Sequence, residues 1–384
     1  MTPEQPSDHD KHRRTETSSV DAEELGWPKV VPIDINKVFS FSEMATALGE
    51  TGFDGQHVGR AVDVLTEMTL DKNSFNMMTV SGAMIPAGMD LLICNAIERG
   101  QVQGLTITGA QVSHNFVRSV GLHHYKVPKN IDDAQLYKMG QDRIYTTSEQ
   151  EKSLDEVERI FGNVLKDMDD KKVHSSRSFT HTIGKYLSEN EPGPGILKSA
   201  YEMGVPVFIP AFTDCELGLN VGIHNKLRGM EGKPPLKYND FIDLDFYAEL
   251  IRAQNGKKLG IYTIGGGVPR NWTQQIGPYL DIQAKRLGFE AEEPAMFWYA
   301  TRICPEPVNW GGLSGCTYEE GKSWGKFWPD CKYAEVPVDA TIIWPYIAKG
   351  VAERIAGKRI IKNVFCGKDA ILETEKKVEM YQAA

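Results

Sequence analysis

Apolar residues along the chain recur with two different periods. Over residues 57–70, Ala61, Val62, Leu65 and Met68 fall at the three- and four-residue spacing of one helix face. Leu154, Val157, Ile160, Phe161, Val164, Leu165 and Met168 do the same over 153–168. Between such segments lie short apolar runs at 77–81, 104–109, 205–211, 258–264, 296–300 and 334–338, the pattern of strands buried on both faces. Helices are predicted at 89–98, behind the small-residue turn 82–88, and from about Asn271, behind three glycines. Strands alternating with helices predict an α/β fold with a mostly parallel sheet flanked by helices on both faces. Segment 121–150 is polar and aromatic, has no clear period and predicts no element.

The residues that close the runs share a character. Ser81-Gly82, Thr108-Gly109, Thr213-Asp214, Gly265-Gly266-Gly267 and Asp339-Ala340 place small or acidic residues at five strand ends. Open α/β sheets bind ligands outside the carboxyl ends of their strands, where an acid can accept from ribose hydroxyls. Glycine lets a ligand approach the backbone closely, and the helix that follows offers free N–H groups to an anion. Each acid taken alone also reads as a helix N-cap. Five such ends on one edge predict a dinucleotide-sized crevice.

Residues 1–25 carry almost no large apolar side chains and predict a mobile tail, followed by one catalytic domain over 26–384. Residues 27–33, with Pro28 and Pro32, read as an extended arm confined to an edge or to the outside of a neighbouring subunit. The 384 residues are 41% hydrophobic and 25% charged, so the chain is expected to be globular, and its net charge of -9 argues against a nucleic-acid partner. Cys94, Cys215, Cys304, Cys316, Cys331 and Cys366 are scattered without a Cys-x-x-Cys pair or clustered histidines. That spacing predicts reduced thiols and no metal site. No run of 18 apolar residues and no apolar signal core occurs, which predicts a cytoplasmic protein with no membrane partner.

The chemistry is concentrated in residues 318–329. Lys326 stands between Trp324 and Trp328, with Gly325 before it and Phe327 after it. Aromatic neighbours that strip water from an amine disfavour its ammonium form, and the neutral amine can attack a carbonyl or imine carbon. The plainer alternative keeps Lys322 and Lys326 as loop charges with their stems along the tryptophan rings.

Four stretches decide between the two. Ser323-Trp324-Gly325-Lys326, the run 205–214, Gly265-Gly266-Gly267-Val268 and Val338-Asp339-Ala340-Thr341 resemble the deoxyhypusine synthase family over roughly residues 30 to 355. The resemblance implies a single Rossmann-like domain, a homotetramer with active sites at dimer interfaces, and NAD as a recycled hydride carrier. It implies that Lys326 is the nucleophile that captures a four-carbon fragment of spermidine as an imine. Trp324, Glu320 and Ser314 match the family's substrate contacts. Ser81, Gly82, Thr108, Gly109, Thr213, Asp214, Gly266, Gly267, Asp339 and Ala340 fall at its cofactor contacts.

The chain also departs from that pattern. Acids that hold the polyamine in the family appear as Leu219 and Leu313, its pocket histidine and asparagine appear as Asn271 and Gln275, and a glutamate near the cofactor appears as His114. Each lost charge-assisted bond is worth about 1.5–3 kcal/mol. Glu216, Glu306 and Glu319 are the nearby acids that could replace them. The altered pocket points to small polyamine substrates with a free diamine as acceptor, as in a homospermidine synthase. The alternatives are a deoxyhypusine synthase acting on a lysine of a translation-factor precursor, and a catalytically silent NAD-binding protein, against which the intact Lys326, Trp324 and Glu320 argue.

Overall fold

The computed structural model describes residues 20–288 and 293–383, so the predicted tail lies outside the described residues as far as residue 19. Its central sheet has six strands: β1 (Ser74–Val80), β2 (Gly104–Ile107), β3 (Val207–Phe208), β4 (Lys258–Ile264), β5 (Phe297–Ile303) and β6 (Phe327–Val336). They lie in the order β6-β5-β4-β1-β2-β3, and every pairing is parallel. The chain therefore moves outward from β1 to β3 and then crosses to the other side of β1 to begin β4. Such a reversal leaves a crevice at the carboxyl ends of the two central strands. Here those ends are Ser81 and Gly265, and Ser81 N–H donates to Ile264 O at 3.1 Å.

Alternation within the strands sends their side chains into two cores. Met78, Val80, Tyr262, Ile264, Ile303 and Val336 pack on one face with the apolar stripe of helix Gly55–Leu70 and with Trp344 and Ile347 of helix Ala340–Arg354. Phe75, Met77, Leu259, Ile261, Phe297 and Ala300 enter the other core with Phe246, Tyr247, Ile276, Tyr318 and Phe327. Each such side chain, once fully buried, stabilises by about 1.5–3 kcal/mol. The predicted α/β fold is therefore the observed one.

A row of hydroxyls interrupts the second core. Thr79 is in register with Thr106 on one side and Thr263 on the other, and Thr79 Oγ1 donates to Thr263 Oγ1 at 2.9 Å. Thr273 of helix Gly267–Gln274 bonds Thr106 Oγ1 at 2.7 Å. That helix is thereby tied to the sheet by hydrogen bonds as well as packing.

Several boundaries differ from the sequence reading, each for a local reason. The run 205–211 pairs only at Val207 and Phe208, because Pro206 and Pro210 have no N–H to give to a ladder and the strand lies at the sheet edge. The last strand starts at Phe327 and not at Ala334. It is also an edge strand, and its register jumps from Phe297↔Phe327 to Tyr299↔Lys332, so Pro329 and the charged Asp330 occupy an irregularity that broke the apolar pattern. The helix predicted from Asn271 begins at Gly267.

Residues 121–150, where no element was predicted, form an antiparallel sheet of Tyr125–Lys126, Gln141–Ile144 and Thr147–Gln150, with helix Asp133–Lys138 between its strands. The arm at 27–33 is exposed and forms no strand, although Val31 N–H donates to Glu50 O at 2.9 Å. Among the described residues no helix is long and apolar enough to cross a membrane.

Candidate active site

The glycine turn after β4 is built by close approach. Gly265 and Gly267 have φ of +76° and +63°, values that side-chain-bearing residues seldom adopt. A Cβ on Gly266 would lie 2.7 Å from Ser314 Cα, so only glycine lets the loop after β5 close over this turn. Ser81 Oγ accepts from Gly266 N–H at 2.9 Å, joining the ends of β1 and β4 across the crevice. Gly82 turns away from β1 with φ of +84°.

Two helices open at this edge without a side chain capping them. Gly267–Gln274 starts behind Gly266 and Gly109–Ser119 starts behind Thr108, and neither preceding residue makes a side-chain cap bond. Their first N–H groups are the donors that a pyrophosphate would take. The residues at the crevice therefore fit a dinucleotide. Thr213 and Asp214 lie exposed in the turn before helix Glu216–Met230. Asp339 Oδ1 accepts from Thr341 N–H at 2.9 Å and caps helix Ala340–Arg354, in which Ala340 is buried. Gly109 is required by packing, since a Cβ there would lie 2.3 Å from Cys215 Sγ.

The lysine reaches this region from the opposite direction. Lys326 directly precedes β6, at the strand's amino end, whereas Asp339 follows its carboxyl end. Between β5 and β6 the chain passes Ser314 at the glycine turn and then descends the sheet face through helix Tyr318–Ser323. Lys326 is 9% exposed, and its Nζ donates to Asn271 Oδ1 at 3.1 Å. Asn271 lies four residues, about 6 Å of rise, beyond Gly267 on the same helix. One short helix thus joins the glycine turn to the lysine.

Burial holds the Lys326 amine below the ordinary lysine value; Cys316 and Glu320 oppose that shift and the Arg270 guanidinium adds to it. Nζ also lies 5.9 Å from the centre of the Trp324 ring, which is 65% exposed. Glu320 is exposed, one helical turn before Trp324. Arg270 and Cys316 were missed in the sequence because neither belongs to a local pattern. Arg270 is buried with its guanidinium 5.1 Å from the centre of the Tyr318 ring. Together with Arg302 it donates to Ser314 O, at 3.4 and 2.6 Å, which holds the loop under the glycine turn.

Contacts link Ser81 to Gly266, Gly266 to Ser314, and Lys326 to Asn271 and Trp324, with Glu320 near enough to act on the lysine. Gln275 lies exposed at the break between helices Gly267–Gln274 and Ile276–Leu287. Leu219 and Leu313 are 57% and 47% exposed. Of the three replacement acids, Glu319 pairs with Lys322 at 2.8 Å. Glu216 acts on Glu149, Asp142 and His114. Glu306 sets its carboxylate against Gly312, next in the chain to Leu313 and Ser314.

Residues 43–351 match the family model described as deoxyhypusine synthase. A Methanosarcina acetivorans protein named "Probable deoxyhypusine synthase 2" is 32% identical over 336 residues, 87% of this chain and 93% of the relative. A "Deoxyhypusine synthase-like protein" of Chlorobaculum parvum is 33% identical over 312 residues, 79% of this chain and 84% of its own. A solved structure of a candidate deoxyhypusine synthase from Entamoeba histolytica superposes with a TM-score of 0.54 at 14% identity, covering 84% of this chain and 96% of that one.

Proposed function

Because the chain belongs to the deoxyhypusine synthase family, whose members are NAD-dependent aminobutyl transferases, we propose that it moves a four-carbon aminoalkyl group between amines through an imine on Lys326. The observation that carries this reading is a buried amine whose hydrogen-bond acceptor, Asn271 Oδ1, is a neutral amide. An amide favours the ammonium far less than a carboxylate would, so the lysine can give up its proton. NAD, when bound, supplies reversible hydride uptake, and the two uncapped helix starts with Ser81, Gly82, Thr108, Gly109, Gly266 and Gly267 would hold it. Thr213, Asp214 and Asp339 flank that edge.

The chain's own steps are additions and eliminations. Neutral Nζ adds to the imine carbon of the oxidised donor and expels the amine bonded there, which leaves with the two protons that Nζ gives up. The Lys326 imine is then attacked by the acceptor amine, and Lys326 leaves as a free amine. Trp324 packs along the substrate's methylenes, while Glu320, Ser314, Asn271 and Gln275 offer polar contacts.

We propose a free diamine as acceptor, on the ground that Leu219 and Leu313 stand where the family places acids. An ammonium against leucine would lose hydration without compensation, so a shorter or less charged amine suits this pocket. A protein lysine as acceptor is the second reading, and the names of the relatives support it. Leu219, Ile223, Leu227 and Met230 are 57%, 49%, 52% and 84% exposed along one helix. That apolar stripe, on the helix that carries Leu219, supports pairing with a second copy of the chain, as a homotetramer with sites at dimer interfaces would require.

The test incubates the protein with NAD, spermidine and borohydride and maps the adduct by peptide mass spectrometry. An adduct on Lys326 is expected, and one on another lysine ends the proposal. A panel of diamines, with and without a translation-factor precursor, then separates the acceptors. Transfer to the precursor alone would reverse the choice.

A further inference from the structure

Three side chains outside the lysine site converge from separate parts of the sequence. His114 lies on helix Gly109–Ser119, His124 just before strand Tyr125–Lys126, and Glu149 on strand Thr147–Gln150. His114 Nδ1 is 2.6 Å from Glu149 Oε2, His124 Nε2 is 3.3 Å from Glu149 Oε1, and one donor atom from each residue lies within 4.8 Å of the other two. The side chains of His124 and Glu149 are 4% and 1% exposed, and that of His114 is 24% exposed.

A buried carboxylate clamping two imidazoles could be purely structural, but its bonds would then be complete. His124 Nδ1 has no partner at all, and the contact of His124 Nε2 with Glu149 Oε1 is an ion pair that lacks hydrogen-bond geometry. Buried polar atoms without partners need an explanation, and these point at one another. Asp142 adds negative charge directly across the antiparallel pair from Glu149, and Glu216 faces the same group.

We propose that His114, His124 and Glu149 bind one divalent transition-metal ion of the zinc class. Imidazole nitrogen and carboxylate oxygen are the donors such ions take at about 2.0–2.2 Å, which puts tetrahedral ligands about 3.4 Å apart. Donors already within 4.8 Å meet that spacing with small side-chain movements. The partly exposed His114 leaves a fourth position to water. It would also fasten the antiparallel sheet to the helix whose first residues, Thr108 and Gly109, stand at the cofactor crevice.

The test uses full-length protein stripped with a chelator and titrated with zinc(II), and separately with cobalt(II) read by visible absorption. Metal retained after desalting is measured by mass spectrometry. One equivalent per chain, with a four-coordinate cobalt spectrum, is expected for the wild type. His114→Ala removes a ligand at the least buried position and should weaken binding more than about a hundredfold, since loss of an outer partner alone costs 10–100-fold. Glu149→Gln keeps the shape and should do the same, with circular dichroism checking that both variants fold. Substoichiometric zinc in the wild type, or equal binding by wild type and both folded variants, overturns the site. If His114→Ala does not fold, Glu149→Gln decides.

Discussion

Among the described residues, the buried Lys326 and the half-buried Lys362 have amines pushed below the ordinary value by loss of water, and only Lys326 sits where chemistry is expected. Lys362 lies behind helix Gly55–Leu70, and burial takes its amine down to about 8. Its Nζ donates to Met68 O and Asp71 O, both at 3.0 Å. These carbonyls end the helix and have no partner within it, and they favour the ammonium, so they oppose the shift that burial causes. Lys326 is also lowered by burial, but it meets one neutral side-chain amide and the face of a tryptophan. A lowered pKa therefore marks a dry amine, and the partners decide whether that amine closes a helix or is available to attack.

The sharpest way to break the comparison is to remove each lysine in turn. Lys326→Ala should abolish transfer to background while leaving NAD affinity and melting temperature nearly unchanged, as read by amine assay, calorimetric titration and thermal unfolding. Lys362→Met should keep transfer but lose about 1 kcal/mol of stability in urea unfolding, because Met68 O and Asp71 O lose a charged donor and keep only Asn76 Nδ2 and Ser74 N–H. An inactive Lys362→Met of normal stability would reverse the assignment.

Next in size is Asn271→Asp. A carboxylate against Nζ favours the ammonium and should raise the lysine pKa by about 1 unit or more, lowering the rate at neutral pH about tenfold. The pH dependence of kcat/KM checks this, and an unmoved rising limb would mean that Lys326 does not set it.

A subtler difference concerns stability against pH. Lys362 has a folded pKa below its unfolded value of 10.5. Between about 8 and 10.5 the unfolded chain therefore binds more protons, and the wild type should gain stability relative to Lys362→Met as pH rises through that window. Denaturant midpoints of the two proteins across the window give the sign directly.

The smallest effect expected is from Leu313→Asp. At a half-exposed position a new acid is worth about 1 kcal/mol or less, so preference for spermidine over putrescine should rise no more than about fivefold. No change in preference would place this position away from the substrate.

The fold was largely legible because four of its strands are continuous apolar runs and its best helices carry clean stripes. Lys258–Ile264 matches the run predicted for it residue for residue. The edge strands were harder to read. At β3 prolines removed donors, and at β6 an irregular register admitted Pro329, Asp330 and Lys332, so the start of the strand beside Lys326 was hidden.

The site was legible where glycine and lysine sit in short motifs. Arg270 and Cys316 were not, since their roles come from burial across the loop. His114, His124 and Glu149 were invisible for a similar reason. They meet only once residues 121–150 fold into short antiparallel strands, which have too few residues to show a period.

The threonines at positions 79, 106, 263 and 273 bear on how the two halves of the active site can evolve. Methyl-to-methyl packing would let a helix creep along the sheet at little cost, but the hydroxyl bond from Thr273 to Thr106 keys it in place. Gly267 and Asn271 ride on that keyed segment, so it works as a gauge block between the crevice and the amine. A one-residue insertion between them would swing Asn271 about 100° around the axis and leave Lys326 facing the wrong side of the helix. Natural variation in substrate length should therefore appear in the loops around this segment and not in its length.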